Sequence, residues 1–198
     1  MGKRTLLAAT LVLTFVIVGC TRKKGVEPVQ PAELLPLSET RCWVYRSYSL
    51  DPATGDTLSQ HRFEMAVKGK MLIGGKEYAL LGDGVARSDE DGLFVAAYDA
   101  STSRFYDALL FRYPVPDDTL SYTFQDPETG ESVPVAVGKG EVAVPAGTFP
   151  DCLRYWVTRG KTRSLFAFAP GLALVEVRDY DQPGQGMVLE AYCKGAVP

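Results

Sequence analysis

From Arg41 onward, apolar side chains recur at every second position, and each run stops at a turn signal. Such a pattern buries one face of a strand and offers a helix no stripe to pack. Trp43 and Tyr45 alternate with Val44 and Arg46. Phe63, Met65 and Val67 oppose Arg62, Glu64, Ala66 and Lys68, and Val133, Val135 and Val137 alternate with polar or small neighbours. The runs end at Asp51-Pro-Ala-Thr-Gly55, Gly74-Gly75, Ser88-Asp-Glu-Asp-Gly92, Asp99 to Ser103, Pro170-Gly171 and Gln182 to Gly186. Turn signals at a spacing of roughly 8–12 residues indicate an antiparallel meander and not parallel strands joined by helices.

Several turns carry their own mechanism. Gly74-Gly75 supplies the two positive-φ positions of a tight hairpin. Asp-Pro-x-Thr-Gly occurs at 51–55 and again at 126–130, which predicts one hairpin turn used twice, with Pro presetting φ and Gly taking the left-handed position. Gly138-Lys-Gly140, between Val137 and Val142, reads as another hairpin turn, and Pro145 with Gly147 as a corner. Pro114 and Pro116 interrupt the ladder because neither can donate to it. Leu165 to Ala169 and Leu172 to Val177 are mostly apolar on both faces, which predicts the most buried strands. The fold class is therefore all-β: an antiparallel meander forming a curved sheet, an open half-barrel or a small barrel or sandwich, over residues 41–198 as a single domain.

The first nineteen residues have a different character. Lys3 and Arg4 precede the apolar run Thr5 to Val18, about fourteen residues and short of the ~20 a membrane-crossing helix needs, and Gly19-Cys20 follows. Ile17-Val18-Gly19-Cys20 resembles the lipobox of bacterial lipoproteins. The resemblance implies a signal helix over residues 1–19, cleavage before Cys20, diacylglycerol on its sulfur and an acylated amino group. Thr21 stands where that family uses Asp for retention in the inner membrane, which implies the outer membrane in a two-membrane source. Residues 20–40, with Pro28, Pro31 and Pro36, read as a tether at ~3.1 Å per residue, and Arg22, Lys23 and Lys24 sit where anionic head groups would attract them at ~1 kcal/mol each.

Without residues 1–19 the chain keeps about 180 residues, enough for one cored domain. Lys3 and Arg4 leave with the leader, so 19 basic residues face 24 acidic ones, a net charge near −5 that offers nucleic acid no broad attraction.

Val144-Pro-Ala-Gly-Thr-Phe149 followed by Cys152-Leu153, Tyr113-Pro114 before Asp118-Thr119, and Ala169-Pro-Gly-Leu-Ala-Leu-Val175 together resemble a loosely defined group of uncharacterised bacterial envelope lipoproteins, which carry Gly where Asp117 stands here. The resemblance covers the last 90 or so residues. It implies a curved antiparallel sheet, like the half-barrel of periplasmic lipoprotein carriers, and no established activity.

Candidate chemistry is sparse. Export would place Cys42, Cys152 and Cys193 in an oxidising compartment, where any two could pair and a bond to Cys193 would pin the last strand; the alternative is that all three stay reduced and buried. His61 is the one histidine. It has no nucleophile elbow or cysteine-protease context, so no catalytic residue is assigned. Scattered cysteines and one histidine give no metal site, no Gly-rich loop opens a phosphate site, and no cofactor is expected. Arg159, Lys161 and Arg163 form a basic hairpin tip. Trp43, Tyr45, Phe105, Phe111, Phe124, Trp156, Phe166 and Phe168 are the candidates to line an apolar cavity. The expectation is a membrane-anchored, non-catalytic envelope domain that binds a lipid or other hydrophobic ligand. A structural or protein-interaction module of the envelope is the alternative, and an envelope hydrolase ranks third.

Overall fold

A computed structural model describes residues 33–38, 41–82, 84–99, 101–115, 119–126, 129–180 and 184–193. Cys20 and the rest of the lipobox lie outside them. Twelve strands run in chain order: β1 Cys42–Leu50, β2 Thr57–Ile73, β3 Lys76–Leu81, β4 Gly84–Asp89, β5 Gly92–Asp99, β6 Arg104–Arg112, β7 Thr119–Gln125, β8 Ser132–Val144, β9 Gly147–Arg159, β10 Thr162–Ala169, β11 Ala173–Asp179 and β12 Gln185–Tyr192. All pair antiparallel in one sheet of order β6-β5-β4-β3-β2-β1-β12-β11-β10-β9-β8-β7. The meander is therefore two consecutive arms joined where the first and last strands pair, curled into a nearly closed, barrel-like sheet.

Alternation sets the inside. Register aligns Trp43 with Met65 and Tyr45 with Phe63 across β1 and β2, and Val137 with Tyr155 and Val135 with Val157 across β8 and β9, on the face that turns inward. In β8, Val133, Val135 and Val137 are buried while Ser132, Pro134 and Ala136 are exposed. Phe111, Tyr155, Phe166 and Phe168 pack edge-to-face and tilted with centroids 5.0–5.8 Å apart, the arrangement aromatic quadrupoles favour.

Two turns follow their sequence chemistry. In both Asp-Pro-x-Thr-Gly copies the glycine amide donates to the aspartate carbonyl, at 2.7 Å for Gly55 and 2.8 Å for Gly130, and the glycine φ is +75° or +71°. The aspartate carboxylate accepts from Ala53 in the first copy and Thr129 in the second. Gly74 and Gly75 take φ of +59° and +80°, as a tight hairpin needs.

The Gly138-Lys-Gly140 turn is not formed. β8 runs straight through it, and a Cβ at Gly138 would sit 3.1 Å from Cζ3 of Trp156, one at Gly140 3.2 Å from Cζ of Arg154. These glycines make room for large side chains of β9, and the chain reverses only after Val144, at Pro145-Ala146.

The domain also begins earlier than Arg41. Leu34, Leu35 and Leu37 are 0%, 4% and 9% exposed, inside the main core, and the Gly171 amide donates to the Glu33 carbonyl at 2.5 Å. Prolines gave this stretch the look of a free tether, yet the strands leave an apolar space that its leucines fill. Leu34→Ala should lower stability by about 3 kcal/mol, read from the urea midpoint, since it empties a filled core site. An unchanged midpoint would return the segment to the tether.

Candidate functional site

The sheet edges meet at a seam made by side chains. The Tyr122 hydroxyl of β7 accepts from the Arg112 amide at 3.0 Å and donates to the Leu110 carbonyl at 3.1 Å, and Tyr155 donates to the Arg112 carbonyl at 2.8 Å. Burial pushes the Tyr122 hydroxyl up to about 12 and that of Tyr155 higher still, so both remain proton donors at ordinary pH. The wall is looser again where β11 pairs with β12 only over Glu176 to Arg178. Beyond that point Trp43 Nε1 donates to the Leu172 carbonyl and the Tyr45 hydroxyl to that of Leu174, both at 2.9 Å, while the Ala146 amide donates to the Leu189 carbonyl at 3.2 Å. Two side chains and one backbone amide thus satisfy carbonyls that the ladder leaves open.

This arrangement decides the fate of the aromatic candidates. Trp43, Tyr45 and Phe168 are 0%, 0% and 1% exposed, so no water-sized space touches them from outside or from an internal void. Phe111 and Phe124 are each 7% exposed, and Phe166 packs against Phe111. Phe166 and Phe168 pack on Phe111, and Trp43, Tyr45 and Phe124 are buried in the same core. Phe105 is 55% exposed beside Tyr98 on the β5–β6 hairpin, and Trp156 lies half-buried on the outer face of β9.

Cys42 and Cys193 are disulfide-bonded, with Cα atoms 5.3 Å apart, and Glu64 Oε1 lies 3.0 Å from the Cys42 sulfur. Cys152 is buried and unbonded, and burial pushes its thiol up to about 11, which leaves little thiolate at neutral pH. The His61 ring is stacked on Phe63 at 6.3 Å, and its register partner Ser47 donates to the His61 carbonyl, not to the imidazole. Arg159 at the basic tip is held by Asp126 at 2.8 Å.

A charged cluster on the outer face of β3–β6 had no sequence signal, because its members are scattered along the chain. Arg87 meets Asp107 at 3.0 Å and also Asp89, Lys76 and Tyr78 donate to Asp107, and the Arg87 guanidinium lies 4.3 Å over the Phe94 ring. Its two cations and two anions pair with one another, though the buried Arg87 Nε has no hydrogen-bond partner among the described residues. What the surface offers instead is open grooves, two of which concern the residues above. One, of about 650 Å³, lies between the β8–β9 turn and the outer faces of β1, β11 and β12, with Arg46, Glu176, Arg178 and Asp179 in its walls. The other, of about 600 Å³, runs over β7–β10 around Trp156.

No protein-family model matches the chain, and no curated protein matches it. Its structure is similar to the crystal structure of a candidate lipoprotein from Parabacteroides distasonis ATCC 8503. That chain is 18% identical, with 82% of the present chain and 99% of the other covered, at a TM-score of 0.45.

Proposed function

We propose that this protein is a lipid-anchored lipoprotein of the bacterial envelope, carried on Cys20, whose β domain is a non-catalytic scaffold that works through its outer faces. The observation that carries the scaffold reading is the filled interior: the rings a hydrophobic ligand would have touched are tied to strand carbonyls or to each other. The interaction-module reading therefore stands ahead of an interior lipid cavity. The anchor rests on Ile17-Val18-Gly19-Cys20 and the short apolar run before it, and the Cys42–Cys193 disulfide suits an exported domain. Thr21 favours the outer membrane where the source has two. A hydrolase reading has little to work with, since Ser47, the register partner of His61, donates to its carbonyl and not to its ring, and the Cys152 thiol is buried.

Intact-mass measurement of the exported protein tests the anchor. The expected species begins at Cys20 and carries diacylglycerol with an added acyl chain, and Cys20→Ser yields the uncleaved precursor. A mature chain with an unmodified residue 20 would remove the proposal.

A further inference from the structure

Apolar side chains left in water gather at one place. Seven large apolar side chains are exposed among the described residues, and five of them lie on two hairpins: Met71 and Leu72 at the end of β2, and Tyr98, Phe105 and Tyr106 on β5–β6. The two hairpins meet. Ile73 and Gly74 line one shallow hollow of about 110 Å³ with Phe105 and Tyr106, and the Phe105 ring packs on Tyr98 at 5.1 Å. That hollow is too small for an acyl chain, so the patch is a surface and not a pocket. Leu72, near the tip, is 74% exposed. Met71-Leu-Ile-Gly-Gly75 carries no charged or hydroxyl side chain, whereas the tips at 51–56 and 89–92 carry carboxylates. The β2–β3 tip therefore enters an apolar phase with no polar side chain to desolvate. The lysines nearest it already have carboxylate partners, Lys70 with Glu77 at 2.6 Å and Lys76 with Asp107. Apolar contact, and not ion pairing, is what the tip offers.

The start of the described chain indicates what the patch faces. Glu33 is fixed by the Gly171 amide on its carbonyl, and it lines one hollow with Lys70 and Glu77. Lys70 adjoins Met71, and Glu77 lies opposite Leu72 in register. Glu33, the end nearest Cys20, is thus held beside the β2–β3 tip. Twelve residues separate Cys20 from Glu33, a stretch that spans at most about 45 Å. A lipid on Cys20 keeps this end of the domain within that distance of the bilayer, where exposed apolar side chains gain by leaving water. Tyr98 and Tyr106 bring amphipathic rings of the kind that settle at head-group level.

We propose that the β2–β3 tip, with the rings of β5–β6 beside it, is a second membrane contact that inserts into the interface of the bilayer holding Cys20. This contact rests on the anchored reading above, and it gives the domain a fixed orientation.

Acylated full-length protein is reconstituted in phosphatidylcholine vesicles, part of whose acyl chains are brominated. The indole of Leu72→Trp is then read against that of Leu58→Trp, after subtraction of the Trp43 and Trp156 signal. Leu58 is the other exposed leucine of β2, about 45 Å of strand away, so it controls for the anchor alone. Bromolipid should quench Leu72→Trp about twofold and leave Leu58→Trp unchanged. Phe105→Trp is a second reporter on an exposed site and serves if Leu72→Trp fails to fold. Adding Leu72→Asp to Phe105→Trp should abolish its quenching, because a carboxylate at the tip resists desolvation. Equal quenching at 58 and 72 would overturn the proposed contact, as would none at 72 and 105. So would an indole at 72 untouched by bromolipid yet shielded from acrylamide as protein density on the vesicle rises, which would assign the patch to a second copy. Intact mass separates the two proposals. An acylated protein unquenched at 72 keeps the anchor and loses the tip contact, whereas an unacylated chain that pellets with the vesicles and is quenched at 72 does the reverse.

Discussion

Gly92→Ala should destabilise the domain by about 4 kcal/mol, seen as a large drop in the urea midpoint at unchanged slope. Gly92 opens β5 with φ +143°, where L side chains are strained, and a Cβ there would lie 2.1 Å from the Phe111 carbonyl oxygen and 3.0 Å from the Arg112 Cα. Both are backbone atoms of β6, which cannot swing aside as a side chain can. Strain at such a position costs ~1–3 kcal/mol, and forcing two paired strands apart adds a comparable amount. The damage would propagate, because Phe111 belongs to the central ring cluster and Arg112 to the tyrosine seam. A change below about 1 kcal/mol would mean that β5 and β6 do not approach this closely.

Removing the Cys42–Cys193 bond should cost about 4 kcal/mol. The cross-link spans a sequence separation of 151 residues, and chain-entropy estimates for so long a loop reach ~5 kcal/mol, with measured losses of ~2–5 kcal/mol. The bond joins the start of β1 to the end of β12, the pair through which the two arms of the meander become one sheet. The Cys193 amide also donates to the Cys42 carbonyl at 3.2 Å, so the bond reinforces a ladder already formed. Thermal unfolding of Cys42→Ser/Cys193→Ser against the oxidised wild type measures the effect, and Cys152→Ser is the control for a cysteine outside the bond. An equal loss from all three substitutions would point to packing instead of cross-linking.

The strands were legible because a half-buried strand writes its alternation into the chain. Val133, Val135 and Val137 announced their inward face, and Asp-Pro-x-Thr-Gly announced a turn because its hydrogen bonds are local. Legibility failed where a residue answered to a distant neighbour. Gly138 and Gly140 looked like a turn, yet they serve Trp156 and Arg154 on the next strand. The prolines around Leu34 signalled a tether, but its leucines fill space made by strands that come later in the chain. Trp43 and Tyr45 looked like cavity lining until their donors proved to be committed to the carbonyls of Leu172 and Leu174, each 129 residues away.

Sequence alone determined what depends on nearest neighbours: a β-rich chain with period-two strands and turns closed by their own hydrogen bonds. Tertiary structure alone decided which strands became edges, which two of three cysteines met, that the interior was packed, and that Trp156 faced outward over glycine. Each of those outcomes depends on groups far apart in the chain reaching one point in space. Local periodicity contains no information about that meeting.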